Sequence, residues 1–209
     1  DDFSHLEGEI RTSKGEVIQE KDYYNHLSRV VLPYSQAVGY EFEGKDYMVG
    51  ALARMDLNRK NLHMDTLIDV GEYLHVFPST NLFHNNLAQA IEMLHCVDKS
   101  IDILETMEFK QERKPEVKPR EGTGVGVIEA PRGTLYYLMN INADGRIKYA
   151  NLVIPTSQNQ INMQDDIRKL VQDNLDQPKQ YIEHEVEKLI RAYDPCMSCA
   201  SHFLRVKWI

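Results

Sequence analysis

The stretch from Pro78 to Met107 constrains the fold more than any other part of the chain. Phe83, Leu87, Ile91, Leu94, Val97, Ile101 and Leu104 recur there at intervals of three and four residues. That spacing stacks side chains on one face of an α-helix, here of about seven turns. Pro78-Ser79-Thr80 punctuates the chain just before it and offers capping side chains. Asn85, Glu92, Lys99 and Asp102 fall on the opposite face, which is expected to meet solvent. A helix this long is stabilised mainly by what covers its apolar stripe, so other elements must pack along it.

The rest of the chain reads as shorter pieces. Residues 1–20 are polar and mixed, a turn-rich entry, and Lys21 to Val31 is a short amphipathic stretch. Glu41 to Gly50 predicts two short strands around Gly44, and Gly50 to Asn58 a loop with a short helical piece. Lys110 to Thr123 is charged, carries Pro115 and Pro119, and reads as a loop within the domain. Thr134–Ile141 and Arg146–Ile154 are rich in β-branched and aromatic residues, with Ala143-Asp144-Gly145 as the turn between them. Helices are expected over Gln164–Asn174 and Pro178–Tyr193, the second with Ile182, Val186, Leu189 and Ile190 inward. The fold class is therefore mainly α with small antiparallel β-ribbons (α+β), one unit over residues 1–209, without internal repeats.

Composition narrows the function. A net charge of −8 disfavours nucleic acid and anionic membrane surfaces. No apolar run approaches the roughly 20 residues of a bilayer span, so no membrane span is expected. Three cysteines, two of them in one motif, argue against a disulfide scaffold and for a reducing compartment. No secretory leader is recognisable at Asp1, and the expectation is a cytoplasmic protein.

The chemistry-bearing string is Asp194-Pro195-Cys196-Met197-Ser198-Cys199-Ala200-Ser201-His202. Thiolates and imidazole are the ligands that soft and borderline metals prefer. A tight turn puts Cys196 and Cys199 on one side, and Pro195 fixes the entry to it. Spacing alone leaves open a structural zinc knuckle, a redox dithiol, an iron–sulfur site or two buried thiols. A second Cys-x-x-Cys or a His-x-x-x-His to complete a zinc set is missing from the sequence. Cys96 reads as a small buried hydrophobe, and His84 and His95 as packed or solvated side chains of the long helix. Arg54 is either a functional cation or, preferably, an ion-pair partner. Gly122-Thr-Gly-Val-Gly126 leads into no helix that could cradle phosphate; its glycines are expected to let backbone pass close to a buried centre.

The whole string, Asp-Pro-Cys-x-x-Cys-x-x-His near a C-terminus, resembles the signature of the large subunit of nickel–iron hydrogenases. Glu129-Ala130-Pro131-Arg132-Gly133 and Leu152-Val153-Ile154-Pro155-Thr156-Ser157-Gln158-Asn159 agree with that family in order and spacing. The resemblance covers essentially the whole chain and is to the C-terminal half of that subunit. Asn81-Leu-Phe-His-Asn-Asn-Leu-Ala-Gln-Ala and Pro33-Tyr34-Ser35-Gln36-Ala37 look most like the cytoplasmic branch, which couples to NAD(P), a deazaflavin or a heterodisulfide reductase.

The resemblance implies a hydrogenase-like helical core and heterolytic cleavage or formation of dihydrogen at a nickel–iron centre with carbon monoxide and cyanide ligands. It implies that Cys196 is a terminal nickel ligand and that Cys199 bridges nickel and iron. Arg132 corresponds to the arginine over the open metal position, with Asp194 as its partner. Pro131, Arg132 and Thr156 would contact the cyanides. His202, with the Leu152 carbonyl, would bind a magnesium ion. The family's other Cys-x-x-Cys and its proton-relaying glutamate belong to an N-terminal half that is absent from this sequence. Implied partners are that half, an iron–sulfur small subunit, electron-acceptor subunits and a maturation peptidase. The family usually loses residues after the motif histidine, whereas this chain continues from Phe203 to Ile209. Two rival classes remain, a zinc-stabilised interaction module and a redox-silent scaffold related to respiratory quinone reductases.

Overall fold

The computed structural model describes residues 5–6, 8–33, 35, 37–199 and 206–208. The entry segment forms a small hairpin, β1 (Ile10–Arg11) with β2 (Val17–Ile18). The 21–31 stretch is not one amphipathic element. A 3-10 turn, Glu20–Asn25, is followed by β3 (Leu27–Val31), which pairs antiparallel with β4 (Val38–Phe42). Tyr23 explains the split, because it is buried and its ring stacks on Tyr136 at 4.6 Å, so the turn is anchored separately from the strand. Around Gly44 there is a turn closed by a single bridge, Phe42 with Lys45, rather than a second strand.

Next come α1 (Ala51–Asn58), α2 (Met64–Val70), a 3-10 turn over Gly71–Val76, and the long helix α3 (His84–Thr106). α3 starts later than the sequence pattern suggests. Residues 79–83 close short polar turns instead: the Asn81 amide donates to Ser79 Oγ and the Phe83 amide to Asn81 Oδ1, both at 3.0 Å. Its buried face also differs from the expected one. Asn85, Ala88, Ile91, Glu92 and His95 point inward, while Phe83, Val97, Ile101 and Leu104 are exposed. Two of the supposed solvent residues, Asn85 and Glu92, are buried because each has hydrogen-bond partners inside, described below. Cys96 is exposed rather than buried.

A three-stranded antiparallel sheet follows: β5 (Gly122–Ala130), β6 (Gly133–Ile141) and β7 (Ile147–Val153). The β6–β7 hairpin falls where the turn signal put it. β5 was hidden by its three glycines, yet it pairs with β6 along its whole length. A Cβ at Gly122, Gly124 or Gly126 would meet nothing within 4 Å, so these glycines answer to no close backbone approach. The chain ends in α4 (Pro155–Gln158), α5 (Gln160–Asp173) and α6 (Lys179–Tyr193). The fold is thus mainly helical with small antiparallel sheets.

Three apolar clusters hold these pieces together. α1 and α3 share Ala51, Leu52, Met55, Ala88 and Ile91 with Leu62 and Phe77. α5 and α6 close on Leu82 through Met163, Leu189, Ala192 and Tyr193. Tyr23, Tyr40, Tyr136 and Val153 seal the sheets. No helix among the described residues is long and apolar enough to cross a membrane.

Candidate metal centre

The centre is assembled where the β5–β6 turn, α4 and the end of α6 meet. Ala130 pairs with Gly133, so Pro131 and Arg132 form the tip of that hairpin. The tip presses against the backbone ahead of α1. Gly133 has φ +135°, and a Cβ there would lie 2.4 Å from Val49 Cγ2. Only glycine fits that conformation and that gap. Arg54 on α1 fixes the tip from beneath. Its Nη1 donates to the Ala130 carbonyl at 3.0 Å and its Nη2 to the Pro131 carbonyl at 3.1 Å.

Arg54 is itself held by Glu92 on α3, at 2.6 and 2.7 Å, and by Glu129 on β5 at 2.6 Å. Burial works against its charge, but the Glu92 hydrogen bonds and the Glu92 and Glu129 charges outweigh it, and its pKa is raised. This is the ion-pair role, not that of a free cation.

α6 ends at Tyr193, and Asp194 caps it with φ 50° and ψ 52°, turning the chain back over the tip. Arg132 meets it there. Its Nε donates to the Asp194 carbonyl at 2.7 Å and its Nη2 to Asp194 Oδ1 at 3.1 Å. Asp194 Oδ2 accepts from the Gln89 side-chain amide at 3.0 Å. Two residues on, the Cys196 amide donates to the buried Thr156 hydroxyl oxygen at 3.0 Å, tying the cysteine loop to α4. The Cys199 amide donates to the Cys196 carbonyl at 3.2 Å and closes the loop.

The loop brings the two sulfurs to 2.6 Å of each other, with Cys196 half-buried and Cys199 exposed. Hydrogen bonds from the second thiol and from Ser198 hold the Cys196 pKa below the usual thiol value. The hydrogen bond with Cys196 and desolvation hold Cys199 above it, while Ser198 and the Arg132 charge pull the other way.

The structure thus brings together Arg132, Asp194, Cys196, Cys199 and Thr156, with Pro131 beside them. Leu152 lies on β7 opposite Tyr137, its side chain part exposed, and His202 lies outside the described residues, as does most of the tail after it. Among the described residues no group of three or more His, Cys, Asp or Glu side chains could hold a metal ion. The two thiols fit a soft metal in chemistry and convergence, and by themselves they leave a four-coordinate site half filled.

Sequence reasoning passed over four residues that shape the centre. Gln158 bridges Tyr47 and the Thr134 carbonyl, and Asn159 pairs with both backbone groups of Val49. Asn85 joins Leu52 to Ala192, and Gln89 reaches Asp194. Amides on a helix carry no distinctive spacing, so only their partners reveal them.

A family profile described as nickel-dependent hydrogenase matches residues 13–202. Sulfhydrogenase 1 subunit alpha of Pyrococcus furiosus is 33% identical over 94% of this chain and 46% of its own length. NAD-reducing hydrogenase HoxS subunit beta of Cupriavidus necator is 33% identical over 97% of this chain and 45% of its own length. The chain spans about half the length of the curated relatives it matches. A crystal structure of an NAD+-reducing [NiFe]-hydrogenase superposes with a TM-score of 0.73 and 27% identity, covering 96% of this chain and 48% of that one. A Ni-Fe-Se hydrogenase from D. vulgaris Hildenborough, 16% identical over 94% of this chain and 49% of that one, shares the fold with a TM-score of 0.57.

Proposed function

Because the chain belongs to the nickel-dependent hydrogenase family, we propose that it is the C-terminal half of the catalytic subunit of a nickel–iron hydrogenase. The reaction is the reversible heterolytic cleavage of dihydrogen to two protons and two electrons, the electrons leaving to an iron–sulfur partner subunit. The observation that supports this reading is the pair of thiols on the loop whose first residue, Asp194, holds Arg132, with the arginine's hairpin braced by Arg54.

Cys196 and Cys199 would hold the nickel–iron centre as thiolates. When bound, the centre supplies the polarisation of dihydrogen and the electron acceptance that no side chain offers. The protein's part is placement and charge. Arg132 would present a cation held in place by Asp194, and a preoriented charge stabilises separating charge without reorganisation. Asp194 sets the orientation of that cation. Thr156 keeps its hydroxyl proton free to donate while its oxygen holds the Cys196 amide; that proton suits a cyanide nitrogen, with Pro131 and Arg132 on the other side. His202 and the Leu152 carbonyl would take the magnesium ion.

The remaining sulfur ligands and the proton-relaying glutamate come, in this reading, from the N-terminal half of the subunit. A cytoplasmic enzyme delivering electrons to a soluble acceptor, matured by a peptidase acting after His202, completes it. The test is the purified complete complex: nickel and iron content, infrared bands of bound cyanide and carbon monoxide, and hydrogen-dependent dye reduction. All three are expected. Zinc alone would mark an interaction module, and a metal-free complex a redox-silent scaffold; either overturns the reading.

A further inference from the structure

Three polar residues lie along the buried face of α3, three and four residues apart, and each is tied to the candidate centre. Asn85 accepts from the Leu52 amide at 3.0 Å and donates to the Ala192 carbonyl at 2.9 Å. Gln89 donates to Asp194 Oδ2 at 3.0 Å. Glu92 grips Arg54, which grips the Ala130 and Pro131 carbonyls. One helix face therefore gauges both sides of the centre. Asn85 and Gln89 set the Ala192–Asp194 segment, and Glu92 sets the hairpin tip through Arg54.

Asn85 and Glu92 serve buried partners that any fold must satisfy. Gln89 differs. It is half-buried, and the group it holds is the carboxylate that also receives Arg132. Rotation of an aspartate carboxylate about its last torsion is soft. With Oδ2 fixed by Gln89, Oδ1 stays aimed at Arg132 Nη2, and the guanidinium cannot swing with it. A neutral amide suits that place, since it donates to the carboxylate without offering a rival cation.

We propose that Gln89 is a positioning residue for the reaction at this centre: its side-chain amide fixes the Asp194 carboxylate, and through it the Arg132 guanidinium. The inference rests on the hydrogenase reading and extends it to a residue that makes no hydrogen bond to either cysteine among the described residues.

The test compares Gln89→Leu and Gln89→Met, each alone and combined with Arg132→Lys, in the mature complete complex. Either Gln89 variant is expected to lower kcat about fivefold with the KM for dihydrogen and the nickel and iron content unchanged. In the Arg132→Lys background the further loss should shrink to less than about twofold, because the group being positioned has gone. Losses that multiply, or an unchanged kcat with intact metals, overturn the proposal. A second readout needs no metal. In the unmatured, metal-free full-length subunit, phenylglyoxal should modify Arg132 about threefold faster in the Gln89 variants, followed by peptide mass spectrometry. An equal rate in a folded variant overturns the proposal. Wild-type complex lacking nickel and turnover would sink the hydrogenase reading instead, and the modification rate would still decide the role of Gln89.

Discussion

Arg54 and Arg132 stand on either side of the same hairpin tip, and they spend their hydrogen bonds differently. A guanidinium has five N–H donors. Arg54 is buried and uses five bonds, to Glu92 twice, to Glu129, and to the Ala130 and Pro131 carbonyls. Arg132 is 39% exposed and makes two among the described residues, both to Asp194. A cation with every donor spent can only brace what it touches. A cation held by one edge has donors left for a ligand. In the hydrogenase reading the same residue type is scaffold in one place and reagent in the other, and the count of uncommitted donors is what separates them.

The largest effect belongs on the open side. Cys199→Ser should abolish hydrogen turnover, a loss of about a thousandfold or more, together with the binuclear centre, because a hydroxyl is a poor bridge for two soft metals. Full hydrogen uptake by this variant in the complete complex would dissolve the distinction between the two regions. On the braced side the effect should be on folding. Arg54→Met strands two carboxylates in a site where Glu92 is 9% and Glu129 23% exposed. Breaking a buried pair in this way costs about 3–5 kcal/mol. Urea denaturation of the full-length subunit should show that loss at pH 7, and an unchanged midpoint would mean the knot is solvated.

Arg132→Lys sharpens the contrast. An ammonium cannot hold the fork geometry that joins Asp194 at two points. Turnover should fall about tenfold, roughly 1.4 kcal/mol of barrier. Stability should barely move, since a half-exposed ion pair contributes at most about 1 kcal/mol. A large fall in melting temperature with normal residual turnover would return Arg132 to the structural side beside Arg54.

Which parts of this were legible in the sequence follows the same division. The Ala143-Asp144-Gly145 hairpin and α6 were readable because turn chemistry and apolar spacing are local signals. The cysteine loop stood out because its motif is short and contiguous; Pro131 and Arg132 stood out for the same reason, but as the start of a strand, and the turn they form with β5 was not legible. The face of α3 was misread for a physical reason. Apolar spacing says where a helix could be buried, but partners decide where it is. Glu92 is inward because Arg54 waits there, and Asn85 because Leu52 and Ala192 do, partners 33 and 107 residues away in the chain. β5 was missed because glycine-rich alternation has little strand signal until β6 supplies its ladder.

The smallest effect is expected where α3 itself divides in two. Its first half is buried against α1 and carries Ala88 and Ile91 at 0% and 2% exposure. Its second half shows Val97 at 56%, Ile101 at 49% and Leu104 at 67%. An apolar stripe left open along a helix marks a surface that is covered in the assembled protein or that drives association when bare. In our reading the N-terminal half of the subunit covers it, and residues 1–209 alone are inert and prone to self-association. Replacing Ile101 with Glu and Leu104 with Lys keeps the net charge and changes two side chains that are 49% and 67% exposed. In residues 1–209 alone the pair should change stability by less than about 0.5 kcal/mol, the usual range for surface positions. It should also shift sedimentation toward the monomer. In the full-length subunit the same pair should cost about 2 kcal/mol or more, because each apolar side chain removed from a covered face loses its transfer energy. Equal, small effects in both contexts would leave the stripe a bare surface, and equal, large effects would place it in the core of this half alone.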